Sequence, residues 1–124
     1  MAGFLRLTAI ALCVILAAGA AEAQSQKYGA LAYDNATGAW GYSFDFNAPA
    51  DARRRALNEC AARSPNCRLL TTFSNACAAL ATASDHSFGW AVRPFAREAA
   101  AAAHGECVRH GGINCQVVQA WCSR

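Results

Sequence analysis

Tyr28-Gly29-Ala30-Leu31-Ala32-Tyr33 returns later in the chain as Cys77-Ala78-Ala79-Leu80-Ala81-Thr82, and the residues after each copy keep step. Trp40-Gly41-Tyr42 resembles Phe88-Gly89-Trp90. Ala52, Ala56, Cys60 and Ala61 correspond to Ala99, Ala103, Cys107 and Val108, and Cys67-Arg68-Leu69-Leu70 to Cys115-Gln116-Val117-Val118. The offset stays between 47 and 49 residues throughout. The chain is therefore a degenerate repeat of one supersecondary unit.

Each unit reads the same way. Two short apolar or aromatic runs, 28–33 and 39–44, flank Asp34-Asn35-Ala36-Thr37-Gly38, whose turn chemistry predicts a hairpin. A helix follows over 49–62. Pro49 suits a first helical position, and Asp51 adds negative charge to the first turn. Ala52, Ala56, Leu57, Cys60 and Ala61 form its apolar stripe, with Arg53, Arg54, Asn58 and Arg63 opposite. Asp51–Arg55 and Glu59–Arg63 have the i,i+4 spacing of ion pairs. Ser64-Pro65-Asn66 then turns the chain into a strand over 67–73. The second unit repeats this as strands 77–82 and 87–92, a helix over 95–110 rich in alanine, and a strand over 115–121. The expected fold is a single α+β domain, ββαβ-ββαβ, with helices on one face of an antiparallel-rich sheet, and one sheet shared by both halves is the arrangement the repeat leaves open.

Working outward, Arg6, the apolar run Leu7–Ala18 and the small-x-small site Ala21-Glu22-Ala23 read as an export signal over residues 1–23. Its apolar run is too short to span a bilayer, which takes about 20 residues. Cleavage near Ala23 leaves a domain over 24–124, secreted or periplasmic, with no further membrane span. Cys13 leaves with the signal. Cys60, Cys67, Cys77, Cys107, Cys115 and Cys122 remain, an even set that reads as a disulfide framework in an exported chain. Six cysteines allow fifteen pairings. The repeat favours Cys60–Cys67 and Cys107–Cys115 as equivalent local bridges, which leaves Cys77–Cys122. No C-x2-C or H-x3-H spacing supports zinc. A net charge of +3 gives no argument for nucleic acid, and Arg53-Arg54-Arg55 reads as a solvated helix face.

Chemistry is hard to place on this frame. With the cysteines bridged, a Cys–His nucleophile is unavailable. Serines 43, 74, 84, 87 and 123 lack a G-x-S-x-G setting. His104 and His110, six apart on one predicted helix, fall on different faces, so no metal is expected, nor any other cofactor; His104 is expected to be a half-buried packing residue. Asp45, Asp51, Glu98 and Glu106 have no spacing that forces a catalytic carboxylate pair. Trp40, Tyr42, Phe44 and Phe46 alternate along one strand and should share a face, as should Phe88 and Trp90, with Arg93 beyond. Core packing explains them. The functional reading is a patch of Trp40, Tyr42, Trp90 and Arg93 for a protein or glycan partner.

Tyr28–Tyr33, Gly38-Ala39-Trp40-Gly41-Tyr42, Ala52-x3-Ala56-Leu57-x2-Cys60 and Cys67-x9-Cys77-Ala78-Ala79-Leu80-Ala81, with Cys107, Cys115 and Trp121-Cys122, resemble the DUF4189 family. That family comprises small exported bacterial domains without an assigned general function. The resemblance covers essentially the whole mature chain and carries no catalytic motif. It implies a bacterial extracytoplasmic setting, where Asn35-Ala36-Thr37 serves as a turn and not as a glycosylation site. The expected role is a non-catalytic binding or interaction module, a secreted effector or inhibitor included. The alternatives are a small hydrolase using Asp45, His86 and Arg93, or a structural envelope component.

Overall fold

The computed structural model describes residues 26–124 and the isolated Gly3; the export signal expected over residues 1–23 otherwise lies outside the described residues. The elements are β1 (Tyr28–Tyr33), β2 (Trp40–Phe46), α1 (Pro49–Ala61), β3 (Arg68–Ser74), β4 (Ala76–Thr82), β5 (Phe88–Arg93), α2 (Ala96–Arg109) and β6 (Gln116–Ser123). This is the ββαβ-ββαβ order that the repeat predicts.

The sheet, however, is not shared. Strands β2-β1-β3 form one antiparallel sheet and β5-β4-β6 another. The central strands show why. Ala30 and Ala32 of β1 pack with Ala52, Ala56 and Cys60 of α1, whereas Leu31 and Tyr33 point the other way. In β4, Cys77, Ala79 and Ala81 pack with Ala99, Ala103 and Cys107 of α2, while Ala78 and Leu80 join Leu31 and Tyr33. A strand that is apolar on both faces needs a cover on both. One sheet with both helices on one side would leave Leu31, Tyr33 and Leu80 in water. The inner faces stack instead, so the layers run α1, first sheet, second sheet, α2.

Side-chain size sorts these layers. Alanines and cysteines line the helix interfaces; Leu31, Tyr33, Phe73, Leu80 and Trp121 fill the space between the sheets. Small residues let each helix approach its sheet closely, and the approach is closest at two equivalent glycines. A Cβ on Gly41 would lie 2.6 Å from the Cys60 nitrogen and nearer still to the Ala56 carbonyl. On Gly89 it would lie 2.7 Å from the Glu106 carbonyl carbon and nearer still to Ala103 and Cys107.

Irregularities recur at equivalent places as well. The β1–β3 register shifts between Leu31 and Ala32, passing over Leu70; the β4–β6 register shifts between Leu80 and Ala81, passing over Val118. Leu70 and Val118 are themselves repeat partners, so a bulge is part of the unit. A further shift is confined to the first half. Tyr28 faces Phe46 but Ala30 faces Ser43, and Asp45 takes a left-handed φ of 60°. The extra residue reverses the alternation, and Phe46 packs with the helix-side cluster while Trp40 and Tyr42 stay between the sheets. The expectation that all four aromatics share a face fails at Phe46 for this reason.

The three bridges form as the repeat argues. Cys60–Cys67 and Cys107–Cys115 tie the end of each helix to the strand after it, with Cα–Cα distances of 5.9 and 6.1 Å. Cys77–Cys122 joins register partners on β4 and β6. The surface ion pairs differ from expectation: Arg54 pairs with Asp51, and Arg55 with Glu59. His104 is exposed and not half-buried, because the covered side of α2 is centred on Ala99, Ala103 and Cys107, with Ala96, Ala100 and Ala102 beside them.

Candidate functional site

At one end of the molecule the hairpin turns of the two halves meet. In the first turn the Asp34 N–H donates to the Ala39 carbonyl and the Gly38 N–H to the Asp34 carbonyl, at 2.9 and 2.8 Å. In the second, shorter by one residue, the Ala83 N–H donates to the Ser87 carbonyl and the His86 N–H to the Ala83 carbonyl, at 2.8 and 3.0 Å. Gly38 and His86 thus occupy matching positions, and both are left-handed, with φ of 77° and 66°. Contacts between the turns fix the halves together. The Tyr33 hydroxyl donates to the His86 carbonyl at 3.0 Å, and Tyr33 packs on Phe88 with ring centroids 4.6 Å apart. His86 Nδ1 lies 3.1 Å from the Ala36 carbonyl oxygen. Burial, with the charges of Asp34 and Asp85 adding to it, pushes the Tyr33 phenol up, so it stays a donor.

A cleft of about 340 Å³ opens beside this junction, lined by Asn35 from the first half and by Asp85, His86, Ser87, Phe88 and His110 from the second. The carbonyl oxygens of Ala36 and Phe88 can only accept, so the Nδ1 atoms of His86 and His110, at 3.1 and 3.2 Å from them, carry hydrogen. The second ring nitrogen of each is Nε2. Asp85 accepts the Ser87 N–H at 3.1 Å. That bond, then the Ser87 hydroxyl, holds its carboxyl below the ordinary value. No Lys or Arg lines the cleft. Among the described residues, no three His, Cys, Asp or Glu side chains stand close enough to hold a metal ion.

Behind the first turn lies a buried polar knot. Asp34, 2% exposed, accepts the Ser64 hydroxyl and the Ala36 N–H, and Ser64 accepts the Thr37 hydroxyl at 2.8 Å. The Ser64 hydroxyl first, and the Ala36 N–H next, lower the Asp34 pKa. The second half has Ala83 in the Asp34 position and no such knot. A carboxylate whose folded pKa is depressed stabilises fully above its unfolded pKa of about 4 and loses that contribution as pH falls toward the folded value. Wild-type melting temperature should therefore drop below about pH 4, through Asp34 and Asp85 together. Asp34→Asn should be less stable at pH 7 and show a shallower acid limb in a pH series of thermal melts. An unchanged limb would mean that the knot is not ionised.

The residues singled out from sequence do not form one patch. Trp40, Tyr42 and Trp90 are half-buried and pack against the inter-sheet layer. Arg93 is exposed, on the opposite face of β5 from Trp90, and its guanidinium turns back to the Val92 carbonyl at 2.8 Å. Only Phe44, at the end of the Trp40–Tyr42–Phe44 ladder, is largely open, at 51%. Asp45, His86 and Arg93 do not converge either. His86 sits in the β4–β5 turn, and Arg93 ends β5, about 15 Å of strand away. The Asp45 carboxylate accepts the Arg124 N–H at 3.0 Å.

With two bridged, helix-backed half-repeats in view, the comparison with known families is informative. The family model described as "Domain of unknown function (DUF4189)" matches residues 28–122, from the first residue of β1 to the last bridged cysteine. The chain belongs to the DUF4189 family. No curated protein and no solved structure matches it. The match takes in both half-repeats, the three bridges and every residue of the DUF4189 cleft. Sequence reasoning passed over that cleft, although a signal was present: aligned by its two Trp/Phe-Gly pairs, the repeat sets His86 against Gly38.

Proposed function

We propose that this DUF4189 chain is an exported, non-catalytic binding module, cut near Ala23, oxidised outside the cytosol, and acting in the periplasm or beyond the cell on a protein or glycan partner. The observation that carries this reading is the cleft between the two hairpin turns. It is built from both halves, exists only when they are docked, and is set on a frame that three disulfides make rigid. Rigid preorganised sites bind without an ordering cost, which is what a small recognition domain requires. The frame has the disulfide content of an oxidising compartment, and among the described residues no helix is long and apolar enough to cross a membrane.

The test is in-place crosslinking in the source cells, with a photoreactive residue at Asn35 in one strain and at Phe44 in another, both outside the core. A saturable, specific adduct from either position supports a binding role, including that of a secreted effector or inhibitor. Turnover by the pure oxidised protein on a hydrolase panel, lost in His86→Ala, would replace it with the hydrolase reading. Intact mass of the native product should show a chain starting at Gln24 and lighter by six hydrogens than its reduced form. A product retaining residues 1–23 with free thiols would remove the export claim.

A further inference from the structure

Resting on that reading, we infer that the cleft at the paired hairpin turns is a saccharide site, and that His86 is kept for ligand contact at the expense of backbone ease. The internal repeat supplies the comparison. The β4–β5 connection is a three-residue loop, Ser84-Asp85-His86, whose last position is left-handed. Glycine is the ordinary choice for that position, and the first half has it in Gly38. The second half instead carries an imidazole, which tolerates left-handed backbone better than most side chains but still adopts it less easily than glycine. Sparsely populated backbone held by its surroundings concentrates at binding sites. The facing turn is fitted to it: a Cβ on Gly38 would lie 3.0 Å from His86 Cδ2.

The lining selects the ligand. Asp85 offers carboxylate oxygens that accept hydrogen bonds, and His86 and His110, with Nδ1 turned to backbone carbonyls, each keep Nε2 as a second ring nitrogen. Asn35 and Ser87 both donate and accept. Such a set asks for a ligand with several O–H donors. The absence of Lys and Arg from the lining, with one carboxylate present, disfavours phosphate, nucleotides and acidic sugars. Asp85, His86 and His110 line the cleft but do not group closely enough to hold a metal ion, which disfavours a cation centre. Phe88, packed on Tyr33, adds an apolar aromatic residue to the lining, as the C–H surface of a sugar would need. A neutral oligosaccharide has each of these features, and the volume accommodates a small ligand.

The experiment is amide and imidazole NMR of the oxidised mature chain, titrated separately with chitotriose, maltotriose, mannotriose, zinc chloride and sodium phosphate. A neutral oligosaccharide should give saturable shifts at Asn35, Ser87, Phe88 and His110. His86→Gly and His86→Asn should each weaken that binding at least tenfold, while in His86→Gly the eased left-handed backbone offsets the lost bond to the Ala36 carbonyl and the melting temperature stays near the wild-type value. Shifts with zinc or phosphate but with no sugar would overturn the assignment, as would silence in the cleft with every probe. A clear fall in the His86→Gly melting temperature would show that the imidazole is held for packing. If the Phe44 position crosslinks a partner while the cleft stays silent, the saccharide site fails and the binding module stands.

Discussion

Gly89→Ala should cost this domain about 3 kcal/mol, near the upper end for overpacking, and lower its melting temperature by roughly 15 °C. The new methyl has nowhere to go. It would meet the backbone of α2 at Ala103, Glu106 and Cys107, and not the tip of a side chain that can swing aside. Nor can the helix retreat. Its last turn is bridged to Cys115, and its buried stripe is in contact with β4 and β5. Gly41→Ala should behave alike, since α1 covers it in the same way and Cys60–Cys67 holds that helix. The matched control is Gly105→Ala, in the interior of α2, where a Cβ meets nothing within 4 Å. There the same change should raise stability by about 0.5–1 kcal/mol, because alanine restricts the unfolded chain and glycine does not. Thermal melts of Gly89→Ala and Gly105→Ala thus test the packing argument by opposite signs. A mild loss at Gly89 would show that helix and sheet can separate.

How much of this was legible in the sequence follows from what a repeat encodes. Local order is written twice, so the hairpins, the helices and the two helix-end bridges could be read from either copy against the other, and Cys77–Cys122 followed as the remaining pair. Pro49, the alanine stripes and the paired cysteines all act within one unit. The relation between units is written only once, in the faces of β1 and β4. Leu31 and Tyr33 alternate with Ala30 and Ala32, and Leu80 with Ala79 and Ala81. That is a pattern of two apolar faces of different size, and it demands stacked sheets instead of one shared sheet. The cleft left only one trace in the sequence, His86 standing against Gly38, for a related reason. It arises where Asn35 of one half meets Asp85–Phe88 and His110 of the other, and residues far apart in the chain give no spacing to read. The aromatic ladder misled at Phe46 because a bulge at Asp45 adds one residue to a period of two. Backbone irregularity of that kind leaves little trace in composition.

The second large effect concerns the bridges. Replacing Cys77 and Cys122 together by alanine should cost about 4 kcal/mol, against about 2.5 for the Cys60/Cys67 pair, because the former closes a far longer loop. Sequence separations of 45 and 7 residues set this difference through the entropy of the unfolded chain. Native-state structure points the same way. Strand β6 carries the contacts that join the two halves at the end opposite the cleft: Trp121 Nε1 donates to the Ser43 carbonyl at 3.0 Å, the Asp45 N–H to Ser123 Oγ at 2.8 Å, and the Arg124 N–H to Asp45. Cys122 lies between two of those residues and bonds its register partner on β4. β6 is the edge strand of its sheet, so without the bridge only its ladder with β4 and those few contacts hold it, and its fraying would release one end of the inter-sheet layer. The paired alanine variants leave no free thiol, so thermal melts in non-reducing buffer compare the bridges directly. Equal losses would mean that the unfolded chain keeps β4 and β6 together without the bond. A larger loss for Cys60/Cys67 would place the critical constraint at the helix ends.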